Sequence, residues 1–158
     1  MKKYLLSIIL ALSSLSGASL AADTGPSATP SQPQDTTLER ARSAIQQKDW
    51  SGAQSILRDA VARDSSNADY HNLYAYSIRK GANPDMSLVF KHYNQALSID
   101  PRHKGAHEYL GEAYLMVGNV GKAKEHLAQL DKICFFPCSE FSELKTAISD
   151  FETKKVAR

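Results

Sequence analysis

The chain has 158 residues, 42% of them hydrophobic and 23% charged, with 19 Lys plus Arg against 17 Asp plus Glu and only two cysteines. That is one domain's worth of sequence with enough apolar material for a core. Lys2 and Lys3 account for the whole positive excess, so the rest is neutral and its charge gives no ground for expecting nucleic acid binding.

Residues 1–22 read as a secretory signal peptide. Lys2 and Lys3 open it, an apolar run extends from Leu5 to about Leu15, and small residues precede Ala21 and Ala22. The run is too short and wrongly flanked for a membrane anchor. No cysteine lies near the expected cut, which speaks against a lipid anchor, and no later run is apolar enough to span a bilayer. The mature chain is therefore expected to be soluble and periplasmic or secreted. Residues 23–35, rich in Pro, Ser, Thr and Gly, cannot bury a core and read as a disordered linker.

Beyond the linker the apolar spacing is helical throughout. Thr37 to Gln47 carries Leu38, Ala41, Ala44 and Ile45 on one side, and Ser51 to Arg63 turns Ile56, Leu57, Ala60 and Val61 inward. Ala68 to Lys80 is closed by Gly81. A fourth helix opens with Asn83-Pro84-Asp85, read as an N-cap, a proline at the first helical position and an acidic first turn, and runs to about Ile99 before Pro101. His103 to Met116 stops at Gly118, and Gly121 to Ile133 stops before Pro137. Ser139, read as a cap, starts a final helix bearing Phe141, Leu144, Ile148 and Phe151. Seven helices with short connections make an all-α protein.

The helices repeat in pairs. Ala53, Leu57 and Ala60 recur as Val89, Tyr93 and Ala96, offset by 36, and as Ala123, Leu127 and Leu130, offset by a further 34. Ala41, Ala75 and Gly111 step by 34 and then 36. A period near 34 residues signals a stacked helical solenoid in which each pair buries one stripe internally and another against its neighbour. These residues resemble the tetratricopeptide repeat, most closely in the third unit through Leu110-Gly111, Tyr114, Gly118, Ala123 and Leu127. The second unit matches through Ala75, Ile78, Tyr93, Ala96 and Pro101, with two extra residues in its Gly81–Asp85 turn. The first keeps Trp50, Ala53, Leu57 and Ala60. The resemblance implies a right-handed superhelix of about three helix pairs over residues 36–137, closed by a capping helix over 138–155. The repeats with a trailing Cys-x-x-x-Cys and a Ser-Glu-Phe cap are also similar to small exported bacterial repeat proteins of undefined activity.

The chemistry-bearing residues are few. Cys134 and Cys138 lie in Cys-Phe-Phe-Pro-Cys, which in an exported protein reads most simply as a structural disulfide. Its loop is so short that chain entropy gives it only about 2 kcal/mol. A thioredoxin-like site wants two intervening residues, covalent haem wants His where Ser139 stands, and zinc wants four ligands, but a redox or copper role stays open. His103 and His107 share a helix face, yet His71 stands one unit before His107 at the same register, which favours packing over metal binding. Gly118-Asn-Val-Gly121-Lys122 lacks the first glycine, the Ser or Thr and the preceding strand of a phosphate loop, and reads as an inter-helix turn.

In the tetratricopeptide family the first helix of each pair lines a concave groove. Carried over by position, that lining is Asn72, Tyr76 and Arg79, then Glu108, Glu112 and Leu115. The two glutamates depart from the basic clamp with which the family holds acidic peptide tails. The expected function is an exported protein–protein interaction module, a scaffold or adaptor that binds a peptide or protein partner through this face. The alternative is a redox or metal-handling accessory using Cys134 and Cys138. No nucleophile–base pair, metal-ligand cluster or cofactor loop is visible, so no enzyme, cofactor or resident metal is expected.

Overall fold

The computed structural model describes residues 35–136 and 138–156. The expected signal peptide, nearly all of the linker, and Pro137 lie outside the described residues. Seven helices follow one another: α1 (Thr36–Gln46), α2 (Trp50–Arg63), α3 (Ala68–Lys80), α4 (Met86–Ile99), α5 (Lys104–Met116), α6 (Val120–Ile133) and α7 (Ser139–Val156). No strand occurs among the described residues.

Side-chain caps fix where the helices begin. Asp49, Asp85 and Asn119 sit at matching repeat positions, and each accepts a backbone N–H from the first turn of α2, α4 and α6. Asp35 does the same for α1, so α1, α2 and α6 each start one residue earlier than the apolar spacing predicts. Two expected caps are corrected. Asp85 caps α4, receiving Ser87 N at 3.0 Å and Leu88 N at 3.1 Å, and Asn83 and Pro84 lie outside the helix. Ser139 is the first helical residue of α7. Cys138 takes the cap position, its carbonyl accepting from Ser142 N at 3.2 Å.

The turns repeat as faithfully as the helices. Between α1 and α2, Lys48 N donates to Ile45 O and Asp49 N to Ala44 O. Between α5 and α6, Gly118 N donates to Leu115 O and Asn119 N to Tyr114 O. Both turns need a left-handed residue, which is Gly118 at φ +78° in one and Lys48 at φ +58° in the other. The second helix of the first two units ends in a polar turn. Asp64 accepts from Ser66 N, and Asp100 accepts from Arg102 N, each at 2.9 Å. Cys134 occupies the same register in the third unit and is joined to Cys138 by a disulfide with Cα atoms 5.9 Å apart.

Packing produces the curvature. Every helix touches its successor, and in addition α1 touches α3, α3 touches α5 and α5 touches α7, whereas α2, α4 and α6 do not touch one another. The first helices thus form a close inner row and the second helices a splayed outer one, which is a superhelix with its concave side on α1, α3, α5 and α7. Each unit has its own core: Ala41, Ala53 and Leu57 in the first; Ala75, Ile78, Val89, Tyr93, Leu110 and Ala113 where the second meets the third; and Leu115, Ala123, Leu130, Leu144 and Ile148 under the cap. Gly111 lets α7 approach, since a Cβ there would stand 2.6 Å from a methyl of the fully buried Leu144. In sequence terms α7 takes the place of the first helix of a fourth unit.

Candidate binding groove

The inner faces of α3 and α5 bring together all six residues of the expected groove lining, but unequally exposed. Asn72, Arg79, Glu108 and Leu115 are buried, and Tyr76 and Glu112 are partly open. On α5 the reason is α7, which packs on that helix, whereas α3 has α5 as its inner neighbour, with Asn72 against Gly105.

Aromatic rings form the centre. Tyr76 lies 4.6 Å from Tyr109 by ring centroids and 6.1 Å, edge to face, from Trp50. Arg79 sits beneath the pair, its guanidinium carbon 5.4 Å from the Tyr76 ring and 5.7 Å from that of Tyr109. Although only 7% exposed, Arg79 is well satisfied in charge. Its Nε donates to the Tyr93 hydroxyl at 3.3 Å, and its Nη2 meets Glu112 Oε2 at 2.6 Å as an ion pair off the axis of the N–H bonds. The Glu112 side chain is 28% exposed. Arg79 thus pairs across the groove with Glu112, in a half-buried setting where the pair counts for more than a surface bridge. Burial, chiefly, pushes the Tyr93 and Tyr109 hydroxyls well above the ordinary tyrosine range, so both stay neutral.

Glu108 is the anomaly of the site. It is 3% exposed, and no basic side chain among the described residues reaches it. Burial first, then a shared hydrogen bond and the charge of Glu143 on α7, push its carboxyl up to about 9. Asn72, one unit earlier at the same register, buries an Oδ1 that no protein donor among the described residues meets.

Two shallow cavities run between α5 and α7 and share Glu112, Ala147 and Asp150. One, of about 470 Å³, is completed by Arg79, Leu115, Met116, Phe151 and Lys154. The other, of 430 Å³, is completed by Ser142, Glu143 and Thr146, so that it has three carboxylates and no basic side chain on its walls.

The histidines do not converge on a metal. His103 caps α5, accepting Ala106 N at 3.1 Å, and its Nε2 lies 3.2 Å from Asp69. His107 instead faces His126 of α6, with Nδ1 atoms 2.9 Å apart, and His71 faces His92 of α4 at 2.8 Å. His92 and His126 are 34 residues apart, one repeat, and that spacing is the signal sequence reasoning passed over. No three His, Cys, Asp or Glu among the described residues are placed to hold a metal ion. Beside the disulfide, Phe135 and Phe136 are 92% and 75% exposed.

No family model and no curated protein matches the chain. Solved structures do. The type III secretion translocator chaperone SycD of Yersinia enterocolitica superposes with a TM-score of 0.66 at 12% identity, over 76% of this chain and 83% of that one. An alternative dimer of SycD gives 0.62 at 16% identity, over 77% and 91%. SycD in complex with a peptide of the translocator YopD gives 0.62 at 16%, over 77% and 92%. At these identities the likeness is one of fold, an all-helical superhelix of the tetratricopeptide kind.

Proposed function

We propose that this protein is an exported, non-catalytic interaction module of the tetratricopeptide type, which binds a peptide or protein segment along the inner face of α3, α5 and α7. The observation that carries the reading is the partly open Tyr76–Tyr109 pair, braced by Trp50 and by the Arg79–Glu112 ion pair. A rigid aromatic anchor set among satisfied charges suits a partner's side chain better than a small molecule, which wants an enclosed apolar pocket. The open cavities beside it agree. SycD, which shares the fold, has been solved with a peptide of YopD. The leader-like residues 1–22 and the Cys134–Cys138 disulfide support an oxidising, exported location.

The test is capture of partners by tagged protein expressed with its own leader. Tyr76→Ala should lose the specific partner while keeping its helicity, and terminal sequencing of osmotically released protein should start near Ala22 or Asp23. Capture unaffected by Tyr76→Ala, but abolished by replacing both cysteines, would shift the reading to a redox or metal-handling role for Cys134 and Cys138.

A further inference from the structure

The groove's charges are unevenly spent. Its one buried cation, Arg79, is taken by Glu112 and Tyr93. On the α7 side, Glu143 and Asp150 are exposed and form no ion pair among the described residues. Together with Glu112 they give the 430 Å³ cavity three carboxylates and no base. An acidic wall alone could be a solvated helix face. Behind this one stands Glu108, a carboxyl buried at 3% exposure, without a cation among the described residues, turned toward Glu143 on the cavity wall. Burying a carboxyl among other carboxyls is costly and stabilises nothing in the free protein. It becomes favourable when a positive group arrives. The carboxylates are too dispersed to hold a metal ion, as no three of them converge. The adjoining cavity, sharing Glu112, Ala147 and Asp150, offers the exposed Met116 with Leu115 and Phe151.

Building on the groove reading, we infer that the trough between α5 and α7 receives a Lys or Arg side chain of the partner segment at Glu143 and Asp150, with an apolar neighbour seated on Met116 and Phe151. The partner is thus a basic, amphipathic protein segment, the opposite charge from an acidic peptide tail. The incoming cation draws a proton off Glu108, because a positive charge nearby favours the ionised form. Binding is therefore coupled to proton release near neutral pH.

The experiment uses the full exported protein and two synthetic twelve-residue peptides of equal apolar content, one carrying lysines and the other glutamates at the same places. Fluorescence anisotropy should show the lysine peptide binding at least tenfold more tightly, with the preference shrinking as salt rises. Glu143→Gln with Asp150→Asn, both exposed, should remove most of that preference while the variant keeps its helical signal. Calorimetry in buffers of different ionisation heat should register protons released by the lysine peptide. Equal or tighter binding of the glutamate peptide, an unchanged preference in the double variant, or no binding of either peptide overturns the inference. The groove reading is judged separately: it survives if Tyr76→Ala still abolishes capture of the natural partner, and falls if capture persists.

Discussion

His107 Nδ1 lies 2.9 Å from His126 Nδ1, and the same bond joins His71 to His92 one repeat earlier. The tautomers follow from the backbone. His71 Nε2–H donates to Ser65 O and His107 Nε2–H to Pro101 O, each at 3.1 Å. A carbonyl can only accept, so Nδ1 of each of these rings is the acceptor and His92 or His126 must donate to it. The bridge is lost when both rings of a pair carry a second proton, because two Nδ1–H donors then face each other. Burial, then the charge of the facing ring, pull His92 and His126 down to about 4, and burial also lowers His107.

The pH dependence has a definite sign. Between about 6.5 and 4 the unfolded chain binds protons that the folded one refuses, so stability falls as pH falls through that window. The loss should be roughly 2 kcal/mol, discounted because the rings are partly reached by solvent. Denaturant titrations at pH 7 and pH 4.5 measure it. His126→Gln should flatten the difference, and an undiminished one would move the effect to other groups.

Glu108 works in the opposite direction. Its raised pKa, about 9 against 4.5 for an ordinary glutamate, gives stability that is complete in acid and lost as pH rises through 9. With two histidines acting below 6.5 and one carboxyl above 4.5, stability should peak between about pH 6 and 7. Glu108→Gln should stabilise the protein at pH 8, by about 1–2 kcal/mol once solvent access is allowed for, and should change little at pH 4. A variant less stable at pH 8 would show that the ionised carboxylate is held by something else.

Glu112 is a structural partner before it is a binding residue. Glu112→Lys sets an ammonium against the buried Arg79 guanidinium and should cost about 2–4 kcal/mol. Charge reversal there therefore reports on folding, and thermal melts of the variant should show it at once. An unchanged midpoint would mean that Arg79 finds another carboxylate.

Lys48 pays for a conformation that Gly118 adopts freely. Lys48→Gly should stabilise by about 0.5–1 kcal/mol, the left-handed strain relieved less the entropy a glycine adds to the unfolded chain. Gly118→Ala should cost a similar amount. Paired melting curves of the two variants test the symmetry of the turns.

Replacing Cys134 and Cys138 by serine should lower stability by about 2 kcal/mol or less, because the closed loop is short. The cap keeps its own apolar hold through Leu144 and Ile148 against α5 and α6. Circular dichroism should retain the helical signal, and its collapse would show that the cap depends on the covalent tie.

The sequence reveals the helices because their periodicity and small residues recur at fixed offsets. Ala41, Ala75 and Gly111 could be matched without coordinates, and all three are buried at helix crossings. It was less informative about α4, where Asn83-Pro84 imitates a helix start although Asp85 does the capping. The groove was legible only in outline. Repeat register places Asn72 and Glu108 on the inner face, but the burial of Glu108 depends on α7, a helix outside the repeat pattern. The ion pair of Arg79 with Glu112 rather than Glu108 is decided by about one helical turn of height along α5, which no spacing rule resolves.

Asp64 and Asp100 close the first two units with hydrogen bonds that form wherever there is water, whereas Cys134 closes the third with a bond that needs an oxidant. Under the export proposed above, in which the chain would cross a membrane unfolded, that difference amounts to timing. Two junctions can form at any moment, and the one leading into the cap is completed only after arrival. On that proposal the disulfide would be a covalent record of which side of the membrane the molecule folded on.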